Sequence, residues 1–303
     1  MTRDRLTAIC TTVARPHCAT EFLLSLREAM PDMAVLLAEQ AEMPALESAC
    51  ADFAVRHMRL PFDCGLSRAR NEMVRAITTD YFLLTEDDFR FAEAPDVDYC
   101  VRFLDAHPDF LCVTGTLEDL RAKPRRGRLA HNFACDNIGR GLIVLPIDSA
   151  PTREIAFEGT PIRQCHMGPN WGVFRRSMFT SVKLAWDEDY IIGGEHIDFY
   201  LRLAKFHPEI SVGFSERLVC QHIDGNEDGY NELRNRSHWL TIFRSKWPFR
   251  YRYDLGGTLR LFETYDRAEP VPNPQADRLR ELLRVERSEV ARLQRQIDAP
   301  GKS

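Results

Sequence analysis

Short, wholly apolar runs alternate along the first half of the chain with longer segments whose apolar positions recur every three or four residues. Residues 6–13 form the first run. Residues 20–30 then carry Phe22, Leu23, Leu24, Leu26 and Met30 at helical spacing, with Thr20 placed to cap them. After a turn at Pro31-Asp32, a second run over 33–38 ends in Glu39. Strand, helix and strand at these lengths predict a right-handed βαβ unit. Residues 46–58 predict a second helix leading into a short strand, and Gly65, Ser67 and the pattern over 69–77 predict a turn, an N-cap and a third helix. Within 79–89 (T-D-Y-F-L-L-T-E-D-D-F), the apolar Tyr81, Phe82, Leu83 and Leu84 are bounded by polar residues, the pattern of a strand buried on both faces of a parallel sheet. A helix over 98–107, a strand over 110–116, an alternating hairpin or mixed-sheet segment over 133–146 and a strand over 218–224 extend the α/β pattern.

Glu86, Asp87 and Asp88 follow directly on the buried run, so they sit at the carboxyl end of its strand, the edge of an α/β sheet where ligands bind. In an extended chain Glu86 and Asp88 fall on one side and Asp87 on the other. Two carboxylates on one side suit a hard cation such as Mg²⁺ or Mn²⁺, held together with the oxygens of a bound phosphate. A solvated acidic turn is the plainer alternative. Glu39 ends its strand at the same edge, placed either to hydrogen-bond a ribose or base or to face solvent. Arg68, Arg70 and Asn71 occupy a helix N-terminus whose N–H groups and dipole attract anions, which suits the turn before the acidic strand to a diphosphate.

Composition narrows the partners. With 303 residues, 44% apolar and 28% charged, the chain has the make-up of an ordinary globular protein that can bury a large core. A net charge of −5 argues against nucleic acid as the main partner, since binding a phosphate backbone needs a concentrated excess of Lys and Arg. Nine cysteines, an odd number without C-x-x-C spacing, read as reduced and mostly buried thiols, not as a disulfide framework or a zinc site. The opening M-T-R-D-R-L lacks the apolar run of a signal peptide, and no stretch approaches membrane-spanning length. A cytoplasmic protein is the expectation, with any membrane contact peripheral.

The segments D-C-G-L-S-R-A-R-N (63–71) and T-T-D-Y-F-L-L-T-E-D-D-F (78–89) together resemble the GT-A glycosyltransferases. Within them the chain is most similar to the inverting N-acetylgalactosaminyltransferase-like branch near glycosyltransferase family 2, whose pattern is D-x-G-L-S-x-x-R-N, a strand, and then D-D-D-F. The resemblance implies a Rossmann-like GT-A fold over residues 1–265, with a mixed, mainly parallel central sheet flanked by helices. It implies donor-binding roles for Thr12, Arg15, Glu39 and Asp63, and for Gly65, Arg68, Arg70, Asn71 and Asp87. Glu86 departs from the pattern by standing where the first aspartate of D-x-D would be. Asp88 is therefore the expected direct metal ligand.

The segment W-D-E-D-Y-I-I-G-G-E-H-I-D-F-Y-L-R-L (186–203) resembles the family's G-G-E-D stretch, whose acid takes the proton from the acceptor hydroxyl. That makes Glu195 the first choice for general base and Asp198, one helical turn on, the reserve. His196 replaces the usual second acid. His222 falls where the family often places a histidine that completes the metal site, with Glu86 and Asp88 as the other ligands of Mn²⁺ or Mg²⁺. Residues 151–164 are expected to form a loop over the donor site. Asn170, Trp171 and Asp187 are expected near the donor sugar or acceptor, Trp171 either stacking on a sugar face or serving as a core ring. The basic, aromatic stretch 230–247 predicts a helix covering the diphosphate or forming an acceptor surface.

A proline-containing linker, 266–274, leads to an expected C-terminal helix, 275–303, a candidate coiled coil. Leu279, Leu283, Glu286, Val290, Leu293 and Ile297 there form a heptad seam interrupted by Glu286, suited to pairing two chains into a homo-oligomer or to packing back on its own domain. The activity implied by the resemblance is metal-dependent, inverting transfer of a hexose or N-acetylhexosamine from a UDP-sugar to a hydroxyl of a glycan or glycoconjugate, as in polysaccharide biosynthesis. A nucleotidyltransferase would carry a glycine-rich, basic loop that residues 6–16 lack. A catalytically silent sugar-nucleotide-binding or scaffolding protein on the same fold would accommodate Glu86 and His196.

Overall fold

The computed structural model describes residues 2–120, 126–135, 139–149, 152–223, 225, 230–234, 238–254 and 258–261. The linker at 266–274 and the heptad segment at 275–297 lie outside these. The chain begins β1 (Leu6–Thr12), α1 (Pro16–Ala29), β2 (Ala34–Glu39), α2 (Pro44–Asp52), β3 (Arg56–Arg59), α3 (Leu66–Ala76) and β4 (Tyr81–Glu86). It continues with β5 (Phe89–Arg90), α4 (Val97–Ala106), β6 (Phe110–Asp119), β7 (Arg126–Arg128), β8 (His131–Cys135), β9 (Gly141–Pro146), β10 (Glu154–Ile155), β11 (Ile162–Cys165), β12 (Gly172–Arg175) and α5 (Arg176–Ser181). Then follow α6 (Glu195–Phe206), β13 (Ser211–His222), α7 (Tyr230–Arg234), α8 (His238–Lys246), β14 (Tyr251–Asp254) and β15 (Thr258–Leu261).

The large sheet runs β10-β11-β13-β6-β12-β4-β1-β2-β3. β1 is parallel to β2 and β4, β2 to β3, and β6 to β13, while β12 is antiparallel to both β4 and β6. Hence β3, β2, β1, β4, β6 and β13 all point one way, with β12 reversed among them. The wholly apolar runs are explained by burial on both faces. Ile9, Leu36, Ala38, Phe82 and Leu84 join one core with Met73 and Val74 of α3 and Phe199 and Leu203 of α6. Ala8, Cys10, Val35, Leu37, Tyr81 and Leu83 join a second core with Phe22 and Leu26 of α1, Leu46 of α2 and Phe103 of α4. Period-two alternation thus sends neighbouring apolar residues to opposite helical layers. A smaller sheet, β15-β14-β9-β8, contains the hairpin expected over 133–146 and meets the main fold through a bridge between His131 and Met167.

Several local expectations are corrected. α1 starts at Pro16, a residue pre-shaped for a first helical turn, so Thr20 lies inside the helix and its hydroxyl donates to the Pro16 carbonyl. Gly65, not Ser67, caps α3: its φ of +95° makes the turn, and a Cβ there would stand 2.8 Å from Ile191 Cα. Residues 152–164 do not cover the donor edge, because β10 and β11 form a hairpin at the end of the sheet, beside the start of β13. The described residues of the stretch 230–247 are helical over α7 and α8. None of the nine cysteines forms a disulfide; Cys64 is half-buried, Cys135 is exposed and the others are buried. Among the described residues, no helix is long and apolar enough to cross a membrane.

Candidate active site

The parallel strands deliver their carboxyl ends to one edge, where a cleft of about 250 Å³ is lined by Thr12, Arg15, Gln40, Asp63, Glu86, Asp87, Asn170, Glu195 and His222 among others. The extended-chain geometry expected for the three acids does not hold, because β4 ends at Glu86 and residues 87 and 88 turn. Asp87 and Asp88 instead converge on Arg15. Its Nε donates to Asp87 Oδ2 at 3.1 Å, its Nη2 to Asp87 Oδ1, and its Nη1 to Asp88 Oδ2 at 3.0 Å. Thr12 Oγ1 donates to Asp87 Oδ2 at 2.6 Å. The pairing of His222 with Phe89 between β13 and β5 sets the imidazole beside Asp88, with Nε2 3.4 Å from Asp88 Oδ2. Burial pushes Asp87 up despite Arg15, whereas for Asp88 the opposing effects of His222 and Arg15 outweigh burial and hold it low.

Glu86 points elsewhere. Its Oε1 accepts from Arg70 Nη2 at 2.8 Å and from Asn170 Nδ2 at 2.9 Å. The expected ligand set of Glu86, Asp88 and His222 is therefore not assembled: among the described residues, no three His, Cys, Asp or Glu side chains converge as a metal site. Arg70, 1% exposed, also reaches Glu195, with Nη1 3.7 Å from Oε1. Arg70 is not a helix-end anion ligand but a buried link between two acids.

Glu195 opens α6 directly after Gly193 and Gly194, whose φ values of +79° and +78° make a turn that other residues rarely adopt. A Cβ on either glycine would come within 2.8 Å of the Trp239 ring, so the turn and α8 pack face to face. The Leu66 N–H donates to the Ile191 carbonyl at 2.8 Å, which joins the 63–71 and 186–195 motifs in one wall. Glu195 is 4% exposed, its Oε2 is without a hydrogen-bond partner, and burial raises its pKa against the pull of Arg70. Asp198 differs. Fully buried, it accepts from Trp247 Nε1 at 2.8 Å and from Arg202 Nε at 2.7 Å and does not line the cleft. The reserve candidate is thus held by α6 and the residue after α8. His196 is pushed by burial down to about 3, and as a neutral ring its Nε2 donates to the Gly168 carbonyl at 2.7 Å.

Other expected residues are also taken up elsewhere. Glu39 accepts from the Met43 N–H and lies 2.6 Å from His57 Nε2, leaving Gln40 to line the cleft. Asn71 spans to Trp186 and Glu188, and Arg68 is exposed outside the cleft. Trp171 is a core ring at 0% exposure against Phe89 and Phe91, too deep to stack on a sugar. Asp187 pairs with Lys246 of α8.

Residues 7–178 match the pattern of glycosyl transferase family 2. The chain belongs to this family. It is 32% identical over 103 residues to the mouse (Mus musculus) protein described as beta-1,4 N-acetylgalactosaminyltransferase 2, a stretch covering 34% of this chain and 20% of that one. Among solved structures, the fold is shared with GalNAc-T7 with UDP, GalNAc and Mn²⁺ at 13% identity and a TM-score of 0.56, covering 80% of this chain and 47% of that one. It is shared with the mannosyltransferase PcManGT from Pyrobaculum calidifontis in complex with GDP-Man and Mn²⁺, at 16% identity and a TM-score of 0.51, covering 80% and 64%. The chain thus spans under two thirds of each of these relatives. These likenesses agree with the expected GT-A fold.

For a divalent cation, the family 2 chain offers a partial fit: Asp88 Oδ1 is buried without a hydrogen-bond partner, and a carboxylate oxygen beside an imidazole nitrogen is a donor set that Mn²⁺ accepts. Glu86 does not join them. The cleft residues that escaped residue-by-residue reading include Gln40, Tyr230, Arg234 and Trp239. The basic, aromatic composition of 230–247 marked the segment that holds three of them, whereas nothing in the sequence separated Gln40 from Glu39.

Proposed function

We propose that this protein transfers a hexose or N-acetylhexosamine from a nucleoside-diphosphate sugar, with UDP-sugars the first candidates, to an acceptor hydroxyl with inversion at the anomeric carbon. The observation that carries this reading is the position of Glu195, at the start of α6 with one oxygen unpartnered, in the same cleft as Asp87, Arg15 and His222. Glu195 Oε2 accepts the proton of the acceptor hydroxyl while its oxygen bonds to the anomeric carbon and the bond from that carbon to the diphosphate oxygen breaks. Asn170, with Oδ1 also unpartnered, orients the donor sugar. Arg15 and Arg234 face the departing diphosphate. Asp88 and His222 would hold Mn²⁺ or Mg²⁺, which supplies positive charge to the leaving group when bound.

The test is nucleoside diphosphate release from a panel of UDP- and GDP-sugars, with and without Mn²⁺, followed by the anomeric configuration of the product. Metal-dependent release with an inverted product supports the reading. A retained configuration, or release of pyrophosphate, overturns it.

A further inference from the structure

Arg15 is 5% exposed and is held on every side. Its fork lies on Asp87 and Asp88, its Nη1 reaches the Gly225 carbonyl at 3.4 Å, and its guanidinium carbon sits 3.9 Å from the centre of the Tyr230 ring. A Cβ on Gly225 would stand 2.4 Å from Nη1, so the chain closes tightly over the ion pair. Of the four oxygens of Asp87 and Asp88, only Asp88 Oδ1 is buried without a partner. A positive charge thus already serves the carboxylates that a metal would use.

We infer that Arg15 is a resident counter-cation that makes divalent-metal binding conditional on the nucleotide diphosphate, an inference that rests on the donor-site reading above. A metal arriving alone meets one spare carboxylate oxygen, one imidazole and the repulsion of a buried guanidinium, which low dielectric magnifies. A diphosphate reverses that balance, because its negative charges are attracted by Arg15 and its oxygens complete a hard cation's shell. Metal and nucleotide therefore tighten each other's binding by the same factor, as linkage requires. Arg15 acts in this scheme through the charge it places beside Asp87, Asp88 and the diphosphate.

The experiment measures Mn²⁺ affinity by electron paramagnetic resonance, with and without UDP, in wild type, Arg15→Met and Arg15→Lys. In wild type UDP is expected to tighten Mn²⁺ by about tenfold or more. Arg15→Met, which lacks the charge, is expected to bind Mn²⁺ without UDP about tenfold more tightly than wild type, with the tightening by UDP reduced to the part that direct coordination by the diphosphate supplies. Its thermal midpoint without metal should fall below wild type and be raised more by Mn²⁺. Arg15→Lys keeps the charge and should retain most of the coupling, which a purely structural role would not predict. If Arg15→Met does not fold, Arg15→Gln is read in the same way. Metal-alone affinity that stays the same or weakens in the folded neutral variant, or UDP coupling as large in it as in wild type, overturns the inference while leaving the donor site intact. A wild type that binds UDP but shows no coupling to Mn²⁺ does the same. A wild type that binds no UDP in the presence of Mn²⁺ overturns the donor-site reading and the inference together.

Discussion

Arg70 Nη1 lies 3.7 Å from Glu195 Oε1, a buried guanidinium set against a buried carboxylate that lines the cleft. The distance is long for a hydrogen bond, so Arg70 favours the ionised form of Glu195 without claiming its second oxygen. That combination suits a base that must be charged, oriented and still open to a proton.

Glu195→Gln keeps the size of the side chain but cannot take the proton. General-base assistance is typically worth about a hundred- to ten-thousand-fold, so kcat is expected to fall by that order while donor affinity stays near wild type. Steady-state kinetics with a saturating UDP-sugar decides it. Normal turnover in this variant would remove Glu195 from the role.

The acid limb of the pH–rate profile follows from the same contacts. Burial raises the Glu195 pKa, Arg70 lowers it and Glu86 raises it. A base works only when deprotonated, so activity is lost as pH falls through a pKa lying above the usual value of about 4.3 for Glu. Arg70→Met removes a favourable positive charge and should move the limb to higher pH. Glu86→Gln removes a nearby negative charge and should move it to lower pH. Shifts of both limbs in one direction would contradict this electrostatic account.

How much of this could be read beforehand depended on how local the cause was. The strand ending at Glu86 is legible because Tyr81 to Leu84 are buried on both faces, a property written in four consecutive residues. The Gly193-Gly194-Glu195 turn was legible for a similar reason, since positive φ selects glycine. The partners of Glu86 were not, because they come from Arg70 on α3 and Asn170 before β12, and the early end of β4 overrides the alternation that an extended chain would have shown. For Asp198 and Trp171 the sequence left alternatives open because polarity and aromaticity do not reveal depth: Asp198 is buried by Trp247, and Trp171 by Phe89 and Phe91.

For the metal residues, Asp88→Ala should abolish Mn²⁺-dependent UDP binding with the fold intact, and His222→Ala should weaken it less. Titration calorimetry with UDP, with and without Mn²⁺, provides the measurement. Unchanged affinity in both variants would remove the metal from this edge.

Trp171→Ala should lower stability by about 3–5 kcal/mol, the usual cost of emptying a buried aromatic site. Trp171→Phe should recover most of that loss and leave donor and acceptor KM unchanged. A selective rise in KM in the Phe variant, without loss of stability, would restore the ring to sugar stacking.

Asp198→Asn separates anchoring from catalysis. The carboxylate accepts from Trp247 Nε1 and Arg202 Nε, and the Tyr190 hydroxyl lies 3.4 Å from Oδ1, so it ties the segment after α8 to the helix that Glu195 begins. An amide turns one acceptor into a donor and leaves either the indole or the guanidinium unsatisfied, at a cost of about 1–3 kcal/mol. Because Asp198 does not line the cleft, the loss should appear as a lower thermal midpoint. The kcat of the folded fraction should fall far less than in Glu195→Gln, and the acid limb should keep its position. If Asp198→Asn melts like wild type yet is inactive, the base is Asp198 and Glu195 is the residue that positions it.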